Sequence, residues 1–381
     1  MTAASAPLEA ESAAPARVMP IVEFLVVGGA TPVLLALSWL ARRAVPIDDA
    51  RLAVSAAAFY AAFVVNDPHF SVTYFLFYRD VRARALGRAF SPVQRARYLV
   101  AGFVVPALLA AWGFGAIRLH SWWIMGLLLQ TMFLLVGWHY VKQGFGVMTV
   151  LAARRGVRVT PFERLAVLAH CYAGWAWAWA SRIGVPHQVE EKGVVYMTLG
   201  HGHGLDRIAL VLFLATLGPL AFALGRKWLR EGPLVTPIVA MLASVWAWTI
   251  GSSFDPLVVF VVPALHSLQY LYFVWLMRRN EAREREGPPH FDVSAKVRVG
   301  TLAASAIALG VLLFHAGPSY LDGVFVDAKH TLDDPLGPTP YFAAIYAFVN
   351  VHHYFMDWVI WRRENPETRF LVDRTSGAGA R

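Results

Sequence analysis

Imidazole suits first-row metal binding and proton transfer near neutral pH. Six of the chain's thirteen histidines fall inside long apolar runs: His69, His139, His170, His266, His352 and His353. Most have polar company nearby. Asn66-Asp67-Pro68-His69 interrupts one run, and His139 is followed by Lys142 and Gln143 in another. His266 has Gln269 and Tyr270 at i+3 and i+4, and Asn350, His353 and Asp357 fall at i, i+3 and i+7 of a run that ends at Arg362-Arg363. On a helix those last three share one stripe, while His352 points about 100° away from His353. An unsatisfied polar group in hydrocarbon costs several kcal/mol, so such residues are candidates for function.

Metal-bound imidazole usually has its second nitrogen hydrogen-bonded to a carboxylate, carbonyl or water. The pattern therefore reads as a metal site. His69, His139, His266, His352 and His353 are its ligand candidates, and Asp67 and His170 are further ones. Asp357 is a ligand or an orienting group. Asn66, Gln269, Tyr270 and Asn350 are hydrogen-bonding neighbours of the ligands. Asp357, Lys142 and Gln143 are candidates for catalytic roles. Imidazole with carboxylate favours iron, copper, zinc or nickel over magnesium or calcium. The single cysteine, Cys171, excludes an iron–sulfur cluster. Haem would use only one or two of the histidines, so non-haem iron, as a mononuclear or dinuclear site, is the first expectation, with copper or haem as alternatives. A lone intramembrane histidine is more often a hydrogen-bonding residue between helices, and Lys142 can snorkel to a membrane surface. Histidines at similar depth on five helices are harder to explain that way.

The elements that must position them are apolar helices. The 381 residues are 57% hydrophobic and 15% charged, against roughly 25% charged in an ordinary soluble domain. The apolar residues lie in runs of about 20, the length that spans a bilayer, and none shows the alternation of a membrane β-barrel. The sequence predicts an all-α polytopic bundle of about ten spans: 20–41, 53–78, 98–117, 122–150, 164–182, 207–225, 235–252, 256–277, 297–316 and 340–361. Arginines crowd the connections after spans two, four, six, eight and ten, which places both termini in the cytoplasm by the positive-inside rule. Arg42, Arg43 and Arg51, after span one, do not fit. The net charge of +9 is accounted for by such loops, so no nucleic-acid partner is expected.

Residues 1–17 read as a disordered N-terminal tail, 18–366 as the transmembrane domain and 367–381 as a flexible C-terminal tail. Counting 1.5 Å per residue from the basic helix ends puts His353, His69, His266 and His139 about 14, 15, 18 and 22 Å deep, and His170 about 9 Å. All five fall between the middle of the membrane and its cytoplasmic side. His120, His187, His201, His203, His315 and His330 are expected at the outer surface and His290 in an inner loop. His201-Gly-His203-Gly reads as a flexible loop, and Trp175, Trp177 and Trp179 as packing and interface anchors.

In ligand type and topology the chain resembles the histidine-rich integral membrane oxygenases and desaturases. Their HxxxH and HxxHH boxes are absent, with His352-His353 the only fragment. One histidine per helix looks more like the membrane-embedded carotene-cleaving dioxygenases that make retinal. The resemblance covers no continuous segment and transfers no residue role. It implies a non-haem iron oxidoreductase, with a lipid or isoprenoid substrate entering from the bilayer and an electron-donor protein as partner. A bacterial inner membrane is the expected location. Other classes stay open: a proton-coupled transporter using a His/Asp/Lys relay, a b-type haem electron carrier, and a scaffold with histidines at helix contacts.

Overall fold

The computed structural model describes residues 18–181, 188–191, 194–197, 202–232, 235–251, 255–326 and 335–371. The tail 1–17, residues 372–381 and His187, His201 and His330 lie outside the described residues. The chain forms α1 (Ile21–Ala44), α2 (Ile47–Ala61), α3 (Asp67–Tyr78), α4 (Val81–Leu86), α5 (Pro92–Arg118), α6 (Trp122–Arg154) and α7 (Pro161–Ser181). An antiparallel hairpin follows, β1 (Gln188–Glu191) with β2 (Val194–Met197), in the connection where only loop was expected. Then come α8 (His203–Glu231), α9 (Val235–Ile250), α10 (Val258–Glu286), α11 (Ala295–Phe325) and α12 (Pro340–Ile360).

Among the described residues, six helices are long and apolar enough to cross a membrane: α1, α5, α6, α8, α10 and α11. The chain is thus a helical integral membrane protein. α9 is apolar but shorter. The helices bearing His69, His170 and the His353–Asp357 pair are not among the six; polar and tryptophan residues lower their mean hydropathy. α11 runs on to Phe325, past the expected end at 316, so His315 lies within a helix.

Prolines explain three local departures from α-geometry. Pro68, Pro106 and Pro318 each lack the N–H that a preceding turn needs. Two residues before each, a π-helical turn ends: Ala62–Asn66, Val100–Val104 and Leu312–Ala316. The turn Ala62–Asn66 joins α2 to α3 and sets the start of the segment that carries His69. The interruption at Asn66-Asp67-Pro68-His69 is therefore a widened turn within a continuing helix.

α1 breaks at Gly28, where φ is 142°, a conformation open to glycine and strained for any L-residue. The break frees the Val27 carbonyl, which accepts from Gln269 Nε2 at 2.6 Å. A Cβ at Gly28 would sit 2.7 Å from the Ala243 Cβ. Gly28→Ala is expected to destabilise the protein by roughly 1–3 kcal/mol through strain and overpacking. Thermal unfolding in detergent measures this, and an unchanged midpoint would show that the break is not required.

Ion pairs show which helix ends lie together. Glu23 at the start of α1 pairs with Arg154 and Arg155 at the end of α6, at 2.7 and 2.9 Å. Arg79 after α3 pairs with Glu281 near the end of α10 at 3.1 Å, and Arg84 of α4 pairs with Glu367 beyond α12. These ends form one charged face. At the other end Arg42, in the last turn of α1, meets Asp255 before α10 at 3.4 Å. This gives one arginine of the misfitting loop a carboxylate partner. The tail expected to be flexible from 367 begins instead in a 3-10 turn, Pro366–Leu371, with Leu371 buried and Glu367 tied to Arg84.

Candidate metal centre

Four helices, α3, α6, α10 and α12, bring His69, His139, His266, His353 and Asp357 together. All five side chains are buried. One candidate ligand atom each from His69, His139, His353 and Asp357 lies within 4.8 Å of the others. His139 Nε2 is 3.2 Å from His266 Nε2 and 3.7 Å from Asp357 Oδ2. His353 Nε2 is 3.2 Å from the same Oδ2. The His69 and His353 rings stand edge to face with centroids 4.4 Å apart, and His139 lies 4.9 Å from both His266 and His353.

These separations can be compared with those in a coordination shell. Ligands about 2.1 Å from one ion, at angles between octahedral and tetrahedral, are about 3.0–3.4 Å apart. The 3.2 Å contacts match, and the 3.7 Å contact needs a small closure. His69 Nε2, His266 Nδ1 and both His353 nitrogens are buried without a hydrogen-bond partner among the described residues. Bare imidazole nitrogens held together in an apolar core are costly, and a shared cation would satisfy one nitrogen each of His69 and His353.

Neighbouring groups aim the ligands. Ser267 Oγ donates to Asn66 Oδ1 at 3.0 Å, so at 3.1 Å from His69 Nδ1 it accepts. The proton of His69 then resides on Nδ1, and Nε2 presents its lone pair to the cluster. Asp357 Oδ1 accepts from Tyr270 Oη at 2.8 Å and from Trp361 Nε1 at 3.2 Å. That leaves Oδ2 facing His139 and His353. Thr73 Oγ1 lies 2.7 Å from the Tyr270 hydroxyl. Gln143 Nε2 donates to the His266 carbonyl at 3.0 Å and to Gln269 Oε1 at 2.9 Å. The chain Gln143–Gln269–Val27 thus fixes the backbone of α10 beside the site. Asn350 accepts from Tyr354, whose ring stacks on His139 at 4.6 Å.

Four expected members lie elsewhere. His352 turns away, as the 100° offset requires: its Nε2 is 3.0 Å from the Ala101 carbonyl and its Nδ1 is 3.1 Å from Tyr74 Oη. Asp67 faces α11, where its Oδ2 is 2.8 Å from His315 Nε2. That helix can approach because residue 310 is glycine; a Cβ there would sit 2.9 Å from the Asp67 Cβ. His315, expected at the outer surface, is partly buried and sets its ring nitrogen against Asp67. His170 packs between α7 and α8, with Nδ1 3.0 Å from Thr216 Oγ1. Lys142 is exposed on the outer side of α6. Two residues before His69, Asp67 lies about 160° round the helix from it.

Ser267, Thr73 and Trp361 were not singled out from the sequence. Ser267 follows a candidate ligand directly, which is a usable signal. Thr73 and Trp361 read as ordinary helix and interface residues, and only tertiary structure shows their partners.

Comparison with known protein families, curated proteins and solved structures finds no match. The assignment of function therefore rests on the site.

Proposed function

We propose that this chain is an integral membrane metalloprotein of oxidoreductase type. His69, His139, His353 and Asp357 would hold a non-haem iron ion, with His266 as a further ligand beside His139. The observation that carries the reading is the convergence of these buried ligand atoms within 4.8 Å. Copper is the alternative on ligand chemistry. Haem fits poorly, because it would use at most two imidazoles, and four are packed together here with centroids 4.4–6.4 Å apart. A His/Asp/Lys relay loses support because Lys142 lies off the cluster.

Iron bound here would supply redox chemistry with dioxygen. The protein's own part is to exclude water, to hold His69 in one tautomer through Ser267, and to direct Oδ2 of Asp357 inward through Tyr270 and Trp361. A lipid or isoprenoid substrate, an electron-donor protein, ten spans with both termini cytoplasmic, and a bacterial inner membrane belong to the same proposal. The gathering of arginine-bearing helix ends on one face supports that orientation.

The test is metal analysis of protein purified gently in detergent. The expected result is close to one iron, or copper, per chain. Stripping with chelator should lower the thermal midpoint and re-addition restore it, since an ion that binds only the folded state stabilises it. Wild-type protein that takes up neither metal would overturn the proposal.

A further inference from the structure

His170 presents a second problem, independent of the histidine cluster. Thr216 Oγ1 donates its proton to the carbonyls of Leu212 and Phe213, at 3.0 and 2.8 Å. With that proton on a carbonyl, the hydroxyl accepts from His170 Nδ1 at 3.0 Å. Nδ1 carries the ring proton, and Nε2 of the neutral imidazole is a bare acceptor. That nitrogen is buried and has no hydrogen-bond partner among the described residues. In an apolar bundle an unmet acceptor is unfavourable; the α7–α8 contact matches Nδ1 through Thr216 and leaves Nε2 unmatched.

The surroundings are aromatic. Phe213 stacks on His170 with centroids 4.7 Å apart and planes 28° apart, and Trp246 lies at 5.7 Å and 31°. Trp177 stacks on the Phe213 ring at 5.4 Å. Trp246 stands on a π-helical turn, Ala243–Ile250, a feature frequent at functional sites. It is 41% exposed, and Val211, Leu212 and Leu214 of the neighbouring helix are each more than half exposed. The ring cluster therefore reaches the apolar outer surface of the bundle.

We propose that His170 with Phe213, Trp246 and Trp177 forms a binding site for a bilayer-soluble molecule bearing an aromatic hydroxyl, of the quinol or phenol class. The hydroxyl would donate to Nε2, and the ligand ring would lie against the aromatic side chains at stacking distance. An aliphatic alcohol would satisfy the nitrogen and leave the rings without a planar partner.

The probe is a short-chain quinol, counted by equilibrium dialysis against the full-length protein in detergent. Its dimethyl ether and decanol are the comparison ligands. The expected result is saturable quinol binding about tenfold tighter than either, the size of one hydrogen bond. His170→Phe should lose that margin. Thr216→Val removes the acceptor that fixes the tautomer and should weaken binding, while Thr216→Ser should keep it. The Val/Ser pair serves if His170→Phe does not fold. Equal binding of quinol and ether, or wild-type affinity in Thr216→Val, would overturn the site. Equal binding of decanol would overturn the aromatic class. None of these outcomes depends on metal content.

Discussion

Replacing His353 by alanine should abolish the proposed metal binding, whereas replacing His352 should not. The two residues are adjacent, both almost fully buried, and equally apparent in the sequence. His353 lies against His69 and His139, with Nε2 3.2 Å from Asp357 Oδ2. In the proposed site His353 is a direct ligand, so the effect of its loss should exceed the ~10–100-fold fall in affinity typical of losing an outer partner. His352 instead bonds to the Ala101 carbonyl and Tyr74. His352→Ala should leave metal content intact and cost about 2–5 kcal/mol in stability, as large-to-small changes in a packed core do. Metal per chain by mass spectrometry and thermal midpoint, measured on both variants, separate the two effects. Equal metal content in the two would remove His353 from the site.

That contrast shows what sequence reasoning could and could not reach. Periodicity placed His353 and Asp357 on one stripe and turned His352 aside, because both facts follow from 3.6 residues per turn. Depth counting put the histidines of α3, α6, α10 and α12 in one band, and they meet. The same counting included His170, which lies near another helix pair; depth fixes position along the membrane normal and leaves lateral position open. Asp67 was misassigned for a related reason. It stands two positions before His69, but the glycine that lets α11 approach it is 243 positions away in the chain. Helix ends were legible from arginines. The break at Gly28 and the continuation of α11 to Phe325 were not, because they depend on backbone conformation and on a π-helical turn that absorbs Pro318.

The clusters of aromatic side chains around the site also bear on its chemistry. Tyr354 stacks on His139, and Tyr140 and Trp248 lie 4.4 and 6.0 Å from His266. Rings of this size keep water from the imidazoles and limit rotation of their planes. Electrostatic interactions with an ion there would be stronger than at a wet surface. The polar partners that remain, Ser267, Tyr270 and Trp361, are thus the groups through which the protein adjusts ligand geometry.

Tyr270→Phe should weaken metal binding by ~10–100-fold while costing only about 1 kcal/mol in stability. The substitution keeps the ring, which stands 4.5 Å from His69, and removes the hydroxyl that donates to Asp357 Oδ1 at 2.8 Å. Trp361 Nε1 remains at 3.2 Å from that oxygen. With one donor gone, Asp357 is freer to rotate and to offer both oxygens, or neither, to the ion. Thr73 keeps the His69 carbonyl as an acceptor at 3.2 Å, so no second buried hydroxyl is stranded. Chelator competition with cobalt as the probe reads the affinity, and the visible spectrum of cobalt reads the ligand geometry. Both should change in Tyr270→Phe, more weakly in Trp361→Phe, and binding should be largely lost in Asp357→Asn, which removes the charge and nearly preserves the shape. A cobalt spectrum and affinity unchanged in Tyr270→Phe would mean that Asp357 is held by its packing, and that the tyrosine hydroxyl serves the fold alone.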